Sequence, residues 1–169
     1  TAAYAGMYGQ QLLEKLARVP GRAELASEFR YRDPVLRASD IGLVVSQSGE
    51  TADTLAAVKL MKQAGMKVFA ICNVRDSSIP RECDAVFYTN AGIEVGVAST
   101  KAFTTQLAIF AVIAGAMGIA FPPGFARSSR GVPPGARGSV RVESVADCTW
   151  GLRSKCCFFP GSGVIFALA

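Results

Sequence analysis

The sequence predicts an α/β fold, a layered domain built on a parallel sheet, and three observations carry that prediction. The runs "IGLVVS" (41–46), "KVFAICN" (67–73) and "AVFYTN" (85–90) are short and apolar without strict alternation, as strands buried on both faces tend to be. A helical pattern over 51–65 separates the first two. The connections are short, and strand–helix–strand units of this kind imply parallel pairing with right-handed crossovers.

Each element follows in order. Residues 4–17 place Tyr4, Met7, Tyr8, Leu12 and Leu16 at helical spacing, and Gly21 stands where that helix could end. "AELASEF" (23–29) holds room for a short strand. After the strand at 41–46, the helix over 51–65 turns Leu55, Val58, Leu60 and Met61 to its apolar side and stops at Gly65. "DSSIPRECD" is a loop with one helical turn between the second and third strands. A long helix is expected from near Ser99 to about Gly118. No charge occurs from Ala102 to Ala126, but the apolar stretch "LAIFAVIAGAMGIAF" falls short of the ~20 residues a bilayer demands. A buried core helix, and no membrane span, is the expectation.

The pattern breaks after Ala120. Residues 121–169 hold five of the eight prolines, seven of the seventeen glycines, three of the five cysteines and the only Trp. The expected division is therefore 1–120 as the folded domain and 121–169 as an irregular Pro/Gly/Arg-rich tail. That tail reads either as a linker or as the product of a shifted reading frame. The net charge of +5 divides unevenly: 1–120 has 12 Lys and Arg against 11 Asp and Glu, while 121–169 has 6 against 2. The excess belongs to the tail, so no nucleic-acid partner is inferred from it.

There are five cysteines and no histidine. The odd, irregularly spaced count is unlike a disulfide framework, and Cys72 in an apolar run reads as a reduced thiol, which fits a cytoplasmic chain. Without His, Ser-His and Cys-His nucleophile pairs are excluded, along with most zinc-site types; no cofactor or metal is expected. The chain opens on Thr, not Met, and reads as a fragment at its start.

The chemistry concentrates in "SQSGET" (46–51), where a strand hands over to a helix. The first turn of a helix offers unpaired N–H groups and a partial positive charge, which together hold a phosphate. Ser46, Ser48 and Thr51 add hydroxyls, Gln47 an amide, and Gly49 a close backbone approach. The Gly-Lys-Ser/Thr ending of a nucleotide P-loop is absent, so a phosphorylated small molecule is expected rather than ATP. The competing reading is plain helix capping, with Ser48 as N-cap and Glu50 and Asp53 favouring the first turn. Glu50 would repel an anion if it pointed inward, so solvent or a backbone partner is expected for it. "VASTKAFTTQ" (97–106) repeats the pattern, with Ser99 or Thr100 as cap and Lys101 near a possible anion.

Taken together, "ASEFRYR" (26–32), "SQSGETADTL" (46–55), "AICNV" (70–74) and "TNAGIEVGVASTKAFTTQ" (89–106) resemble the glutamine–fructose-6-phosphate aminotransferase (isomerising) family. The similarity covers about residues 1–118 and is to the first of that family's two sugar-isomerase (SIS) domains. The resemblance implies a three-layer α/β/α sandwich, here truncated and followed by the irregular tail. It implies that Ser46, Gln47, Ser48 and Thr51 bind a sugar's phosphate. Val97 and Ser99 would meet the sugar partly through backbone atoms, and Thr1 would join them. At Ala2, where many members carry Ser, a hydroxyl contact is lost. The resemblance further implies a homodimeric parent enzyme and a strand immediately before Thr1.

The family's chemistry also needs a glutaminase domain with a terminal Cys nucleophile. A second SIS domain and a C-terminal tail supply a Glu base, a ring-opening His and a Schiff-base Lys. This chain has no segment matching them, so no residue is assigned a catalytic role, Glu50 and Lys101 included. The expected function is that of a sugar-phosphate-binding fragment, inactive alone. The rivals are a stand-alone SIS module that senses a phosphosugar within a regulator, and a structural domain with capped helices and no ligand.

Overall fold

A computed structural model describes residues 1–92, 100–120 and 163–169. In chain order these residues form α1 (Ala2–Leu12), continued by a π-helical turn at Leu13–Ala17, then β1 (Gly21–Leu25) and α2 (Ala26–Tyr31). Next come β2 (Ile41–Ser46), α3 (Ala52–Gln63), β3 (Lys67–Cys72) and the short α4 (Ser78–Glu82). The chain closes with β4 (Ala85–Tyr88), α5 (Thr100–Ala120) and β5 (Val164–Leu168). The five strands pair in the order β1-β5-β2-β3-β4, every pair parallel.

Alternation along the strands produces two cores. Leu43 and Val45 of β2, Ile71 of β3, and Val164, Phe166 and Leu168 of β5 point to one face, where α1 and α5 lie. Val44, Val68, Ala70, Ile165 and Ala167 point to the other, against Phe29 of α2, Ala57, Val58 and Met61 of α3, and Ile79 of α4. Burial on both faces explains why these strands read as continuous apolar runs. The α/β class is thus a sandwich of helix, sheet and helix.

β5 is the element the sequence did not announce. It lies between β1 and β2, in register from Gly21↔Val164 to Leu25↔Leu168 on one side and from Ile41↔Val164 to Val45↔Leu168 on the other. If β5 is counted first, the order becomes the doubly wound 2-1-3-4-5, and β5 fills the place of the strand expected before Thr1. Residues 164–168, placed with the irregular tail on sequence grounds, therefore belong to the sheet. Five apolar residues carry no period of their own, and only a slot flanked by two parallel strands makes them a strand. The slot is pinned at its entrance: Ile41 N donates to Gly163 O (3.0 Å) and Gly163 N donates to Asp40 Oδ1 (3.0 Å).

Other boundaries shift for local reasons. Gly21 opens β1 rather than ending α1; the helix ends in the π-turn, where Arg18 takes a left-handed φ of 56°. The strand expected over 23–29 ends at Leu25, and Ala26 begins α2. The large side chains of α1 face outward, with Tyr4 71% and Met7 46% exposed, while Ala2, Ala5, Gly6 and Gly9 are buried. A Cβ at Gly6 would collide with Leu168 and one at Gly9 with Phe110, so the absence of side chains lets α1 lie close to β5 and α5. The helix α5 buries the stripe Ala102, Gln106, Phe110 and Ala114 against the sheet, whereas Val112 and Ile119 are exposed. It is a one-sided core helix, although by length and composition it is also apolar enough to cross a membrane.

Candidate functional site

The carboxyl ends of parallel strands, where loops meet helix N-termini, are where doubly wound sheets place ligands. The "SQSGET" loop lies at that edge, between Ser46 at the end of β2 and Thr51, the N-cap of α3. Beside it, the ends of β3 and β4 carry Asn73 and Thr89, and Thr1 begins α1.

The loop is braced from beneath. Ser46 is 1% exposed; its Oγ accepts the Gly49 N–H at 3.1 Å and lies 3.2 Å from Thr51 Oγ1. Ser48 is exposed, and its Oγ accepts the Glu50 N–H at 3.3 Å. Gly49 has φ +72°, and a Cβ there would strike Ser77 Oγ and Cys72 Sγ beneath the loop. The thiol and Ser77 fill that space: Cys72 Sγ lies 3.8 Å from Ser77 Oγ, which donates to Val74 O at 3.0 Å.

The hydroxyls of Ser46 and Ser48 bond backbone N–H groups within the loop rather than the first turn of α3. The N-cap of α3 is Thr51, not Ser48, and no side chain caps the helix. Thr51 Oγ1 shares its hydrogen bond with Ser46 Oγ, either hydroxyl being able to donate, and the first-turn amides remain without a side-chain acceptor from the cap. Asp53, in the first turn, pairs with Arg30 at 3.1 Å. Glu50 turns to α4, where its carboxylate accepts Ser78 N–H at 2.8 Å and Ser78 O–H at 2.6 Å. The side-chain bond first, and the backbone bond with it, hold its carboxyl below the ordinary value of 4.5 and keep its charge engaged with α4.

Of the sequence-predicted residues, Ser46, Gln47, Ser48 and Thr51 sit together in one loop, with Ser46 behind it rather than at its surface. Thr1 is exposed at the start of α1, with no side-chain cap bond. Val97 and Ser99 lie outside the described residues. Among the described residues, no cluster of His, Cys, Asp and Glu is placed to hold a metal ion.

Two features escaped sequence reasoning. One is the Glu50–Ser78 clamp, which joins residues 28 positions apart. The other is Asn73. Its Oδ1 accepts Thr89 Oγ1 (2.9 Å) and Ala91 N–H (2.8 Å), and its Nδ2 donates to Gly92 O (3.0 Å). An Asn placed directly after an apolar strand was the available signal.

A doubly wound parallel sheet with a hydroxyl-rich loop between strand and helix at its carboxyl edge defines the class to which such domains belong. Residues 1–116 match the SIS domain model, and the chain belongs to that family. It is 53% identical over 117 residues to the glutamine–fructose-6-phosphate aminotransferase (isomerising) of Chlorobaculum tepidum, covering 69% of this chain and 19% of that one. With the enzyme of the same name from Mycolicibacterium smegmatis the identity is 45% over 170 residues, covering 98% of this chain and 27% of the relative. The second alignment extends past residue 120. Among solved structures, the C-terminal domain of the glucosamine–fructose-6-phosphate aminotransferase from Francisella tularensis superposes with a TM-score of 0.67 at 46% identity. It covers 70% of this chain and 33% of that one. The chain thus spans only about a fifth to a quarter of the length of these curated relatives.

Proposed function

We propose that this chain binds a hexose phosphate and is the sugar-phosphate-holding part of an enzyme that makes glucosamine 6-phosphate from fructose 6-phosphate and glutamine, within the cytoplasm. The observation that carries the reading is the state of the α3 N-terminus. Its cap residue, Thr51, makes no side-chain bond to the helix; its hydroxyl lies 3.2 Å from that of Ser46. The partial positive charge and first-turn N–H groups of α3 then face the edge where Ser48 is exposed.

In this reading Gln47, Ser48 and Thr51 hold the phosphate with the first-turn amides. Ser46 joins the set by fixing Gly49 and Thr51 from below. Thr1, Val97 and Ser99 meet the sugar. Glu50, tied to Ser78, keeps its charge out of the anion's way. Binding and orientation are the whole of this chain's proposed contribution; acid–base and Schiff-base steps belong to other parts of the parent enzyme, which acts as a homodimer.

The domain is proposed as 1–120 completed by β5. The test uses the whole chain. Fructose 6-phosphate or glucosamine 6-phosphate at millimolar concentration should raise the melting temperature. Ser48→Ala with Thr51→Ala should weaken binding with the fold intact, each hydrogen bond to a charged group contributing about 1.5–3 kcal/mol. No thermal shift with either sugar, or equal affinity in the double variant, would remove the site.

A further inference from the structure

The loop from Ser46 to Thr51 uses its hydrogen-bond acceptors inside the protein. The carbonyls of Gln47, Gly49 and Thr51 accept the N–H groups of Asn73 (3.2 Å), Ile79 (2.9 Å) and Leu55 (3.0 Å). Ser46 Oγ accepts Gly49 N–H, and Ser48 Oγ accepts Glu50 N–H. The Glu50 carboxylate is taken by Ser78 of α4, and Asp53 is paired with Arg30 of α2. The protons turn the other way. Ser46 is buried, and among the described residues the acceptor within reach of its O–H is Thr51 Oγ1, 3.2 Å away. Geometry allows either hydroxyl of that pair to donate, but a Thr51 donor would leave the Ser46 proton buried without an acceptor, which is the costly arrangement. The bond therefore runs from Ser46 to Thr51. That leaves the proton of half-buried Thr51 for a ligand, together with that of exposed Ser48. The N–H groups of Ala52, Asp53 and Thr54 join them, because Leu55 N–H is the first to meet a helical carbonyl. Half-buried Gln47 differs, since its amide both accepts and donates, and it can turn its NH2 to an anion.

We infer that the loop takes the doubly charged form of a phosphate monoester and rejects the singly protonated one. This inference rests on the sugar-phosphate reading above and names the ionic form that the same site holds. The terminal oxygens of a phosphate dianion only accept, so they match the donors of the loop and of the α3 first turn. A monoanion carries a P–O–H proton, which meets no acceptor fixed in place and loses the water that bonded it. The second ionisation of a phosphate monoester lies near pH 6, so the choice falls close to neutrality. The sequence has no histidine, the side chain whose ordinary ionisation falls between pH 5 and 8. Bonding to Ser78 holds the Glu50 carboxyl below 4.5, so its charge is constant over that range. The other charged groups on the surrounding elements are Asp53 with Arg30, Arg81 of α4, Arg75 and Asp76 after β3, and Lys101 and the Thr1 amino group at the heads of α5 and α1.

The test is calorimetric titration of the whole chain with fructose 6-phosphate between pH 7.5 and pH 5 at constant ionic strength. Fructose 6-sulfate, an ester of the same sugar that stays singly charged throughout, controls for any charge change on the protein, its affinity being read by competition with the phosphate. The dissociation constant for fructose 6-phosphate should rise about tenfold from pH 7.5 to pH 5, as the dianion is lost, while that for the sulfate ester stays within about twofold. In Ser46→Ala, Thr51 is free to accept as well as donate, and the rise for fructose 6-phosphate should shrink to about threefold or less. A rise below about twofold in the unsubstituted chain, or a parallel rise for the sulfate ester, overturns the inference. A rise as steep in Ser46→Ala as in the unsubstituted chain assigns the choice to charge alone and also overturns it. Should that variant fail to fold, the two titrations of the unsubstituted chain still decide. An unsubstituted chain that binds neither ester at pH 7.5 removes the sugar-phosphate reading itself, a result distinct from the others.

Discussion

Glu50 and Ser78, 28 positions apart, form a two-pronged clamp in which one carboxylate accepts both the backbone N–H and the hydroxyl of a single residue, at 2.8 and 2.6 Å. The clamp joins the loop after β2 to the start of α4, and it turns an acid away from a site proposed for an anion. Its dependence on pH has a definite sign. Bonding to Ser78 lowers the folded-state pKa of Glu50, so its stabilisation is present above the ordinary value of 4.5 and is lost as pH falls through the lower folded value. Glu50→Gln should therefore melt below the unsubstituted chain at neutral pH, with the gap narrowing as pH falls below the ordinary carboxyl value of 4.5. A gap that persists unchanged at pH 3 would mean the charge is not what matters.

Gly49 is the position in the loop least tolerant of a side chain. Its φ of +72° disfavours any L residue, and a Cβ would meet Ser77 Oγ and Cys72 Sγ. Gly49→Ala should destabilise the chain by about 1–3 kcal/mol, the range for a residue forced into a sparsely populated backbone region. It should also weaken fructose 6-phosphate binding, because relief of the collision moves the loop. Denaturant titration together with sugar titration checks both halves. A fully stable Gly49→Ala would show that the loop conformation differs from this one.

Phe166 tests whether β5 truly completes the sheet. It is fully buried between β1 and β2 and lies 5.8 Å from Phe110 of α5, ring centre to ring centre. Phe166→Ala should cost about 3–5 kcal/mol. That is a large share of the 5–15 kcal/mol that holds a typical domain together. A chain ending at residue 120 should fail to fold cooperatively. Cooperative unfolding of such a piece with the stability of the whole chain would show that residues 164–168 are dispensable.

Cys83 should be a poor nucleophile. Burial, more than any neighbouring charge, pushes its thiol from an ordinary 9.0 up to about 12. At pH 8, iodoacetamide should leave Cys83 unmodified in the native chain and alkylate it in urea, as read by peptide mass spectrometry. The raised value also gives an alkaline limit. The unfolded thiol ionises from about pH 9 while the folded one does not, so stability falls between about pH 9 and 12. Cys83→Ala should flatten that part of the stability curve, and an unaltered slope would assign the loss to other groups.

What the sequence alone determined was the alternation of apolar strands with a helix of period 3.6, and with it the parallel sheet and the edge at which sheets of this kind place ligands. β2, α3 and β3 were legible because strands buried on both faces are apolar throughout, and because Gly65, at φ +80°, ends α3 where the apolar pattern stops. The loop at 46–51 was legible too, as a concentration of neutral donors at a helix start. Tertiary structure decided what each hydroxyl does. Ser46 turns beneath the loop, within 3.2 Å of the Thr51 hydroxyl, and Cys72 and Ser77 fill the space under Gly49. It also decided which face of α1 is buried: small residues, not the large apolar stripe, let the helix approach Leu168 and Phe110. Above all, it gave residues 164–168 their role. An isolated run of five apolar residues has no preferred partner, and only the parallel gap between β1 and β2 satisfies its backbone and buries both its faces.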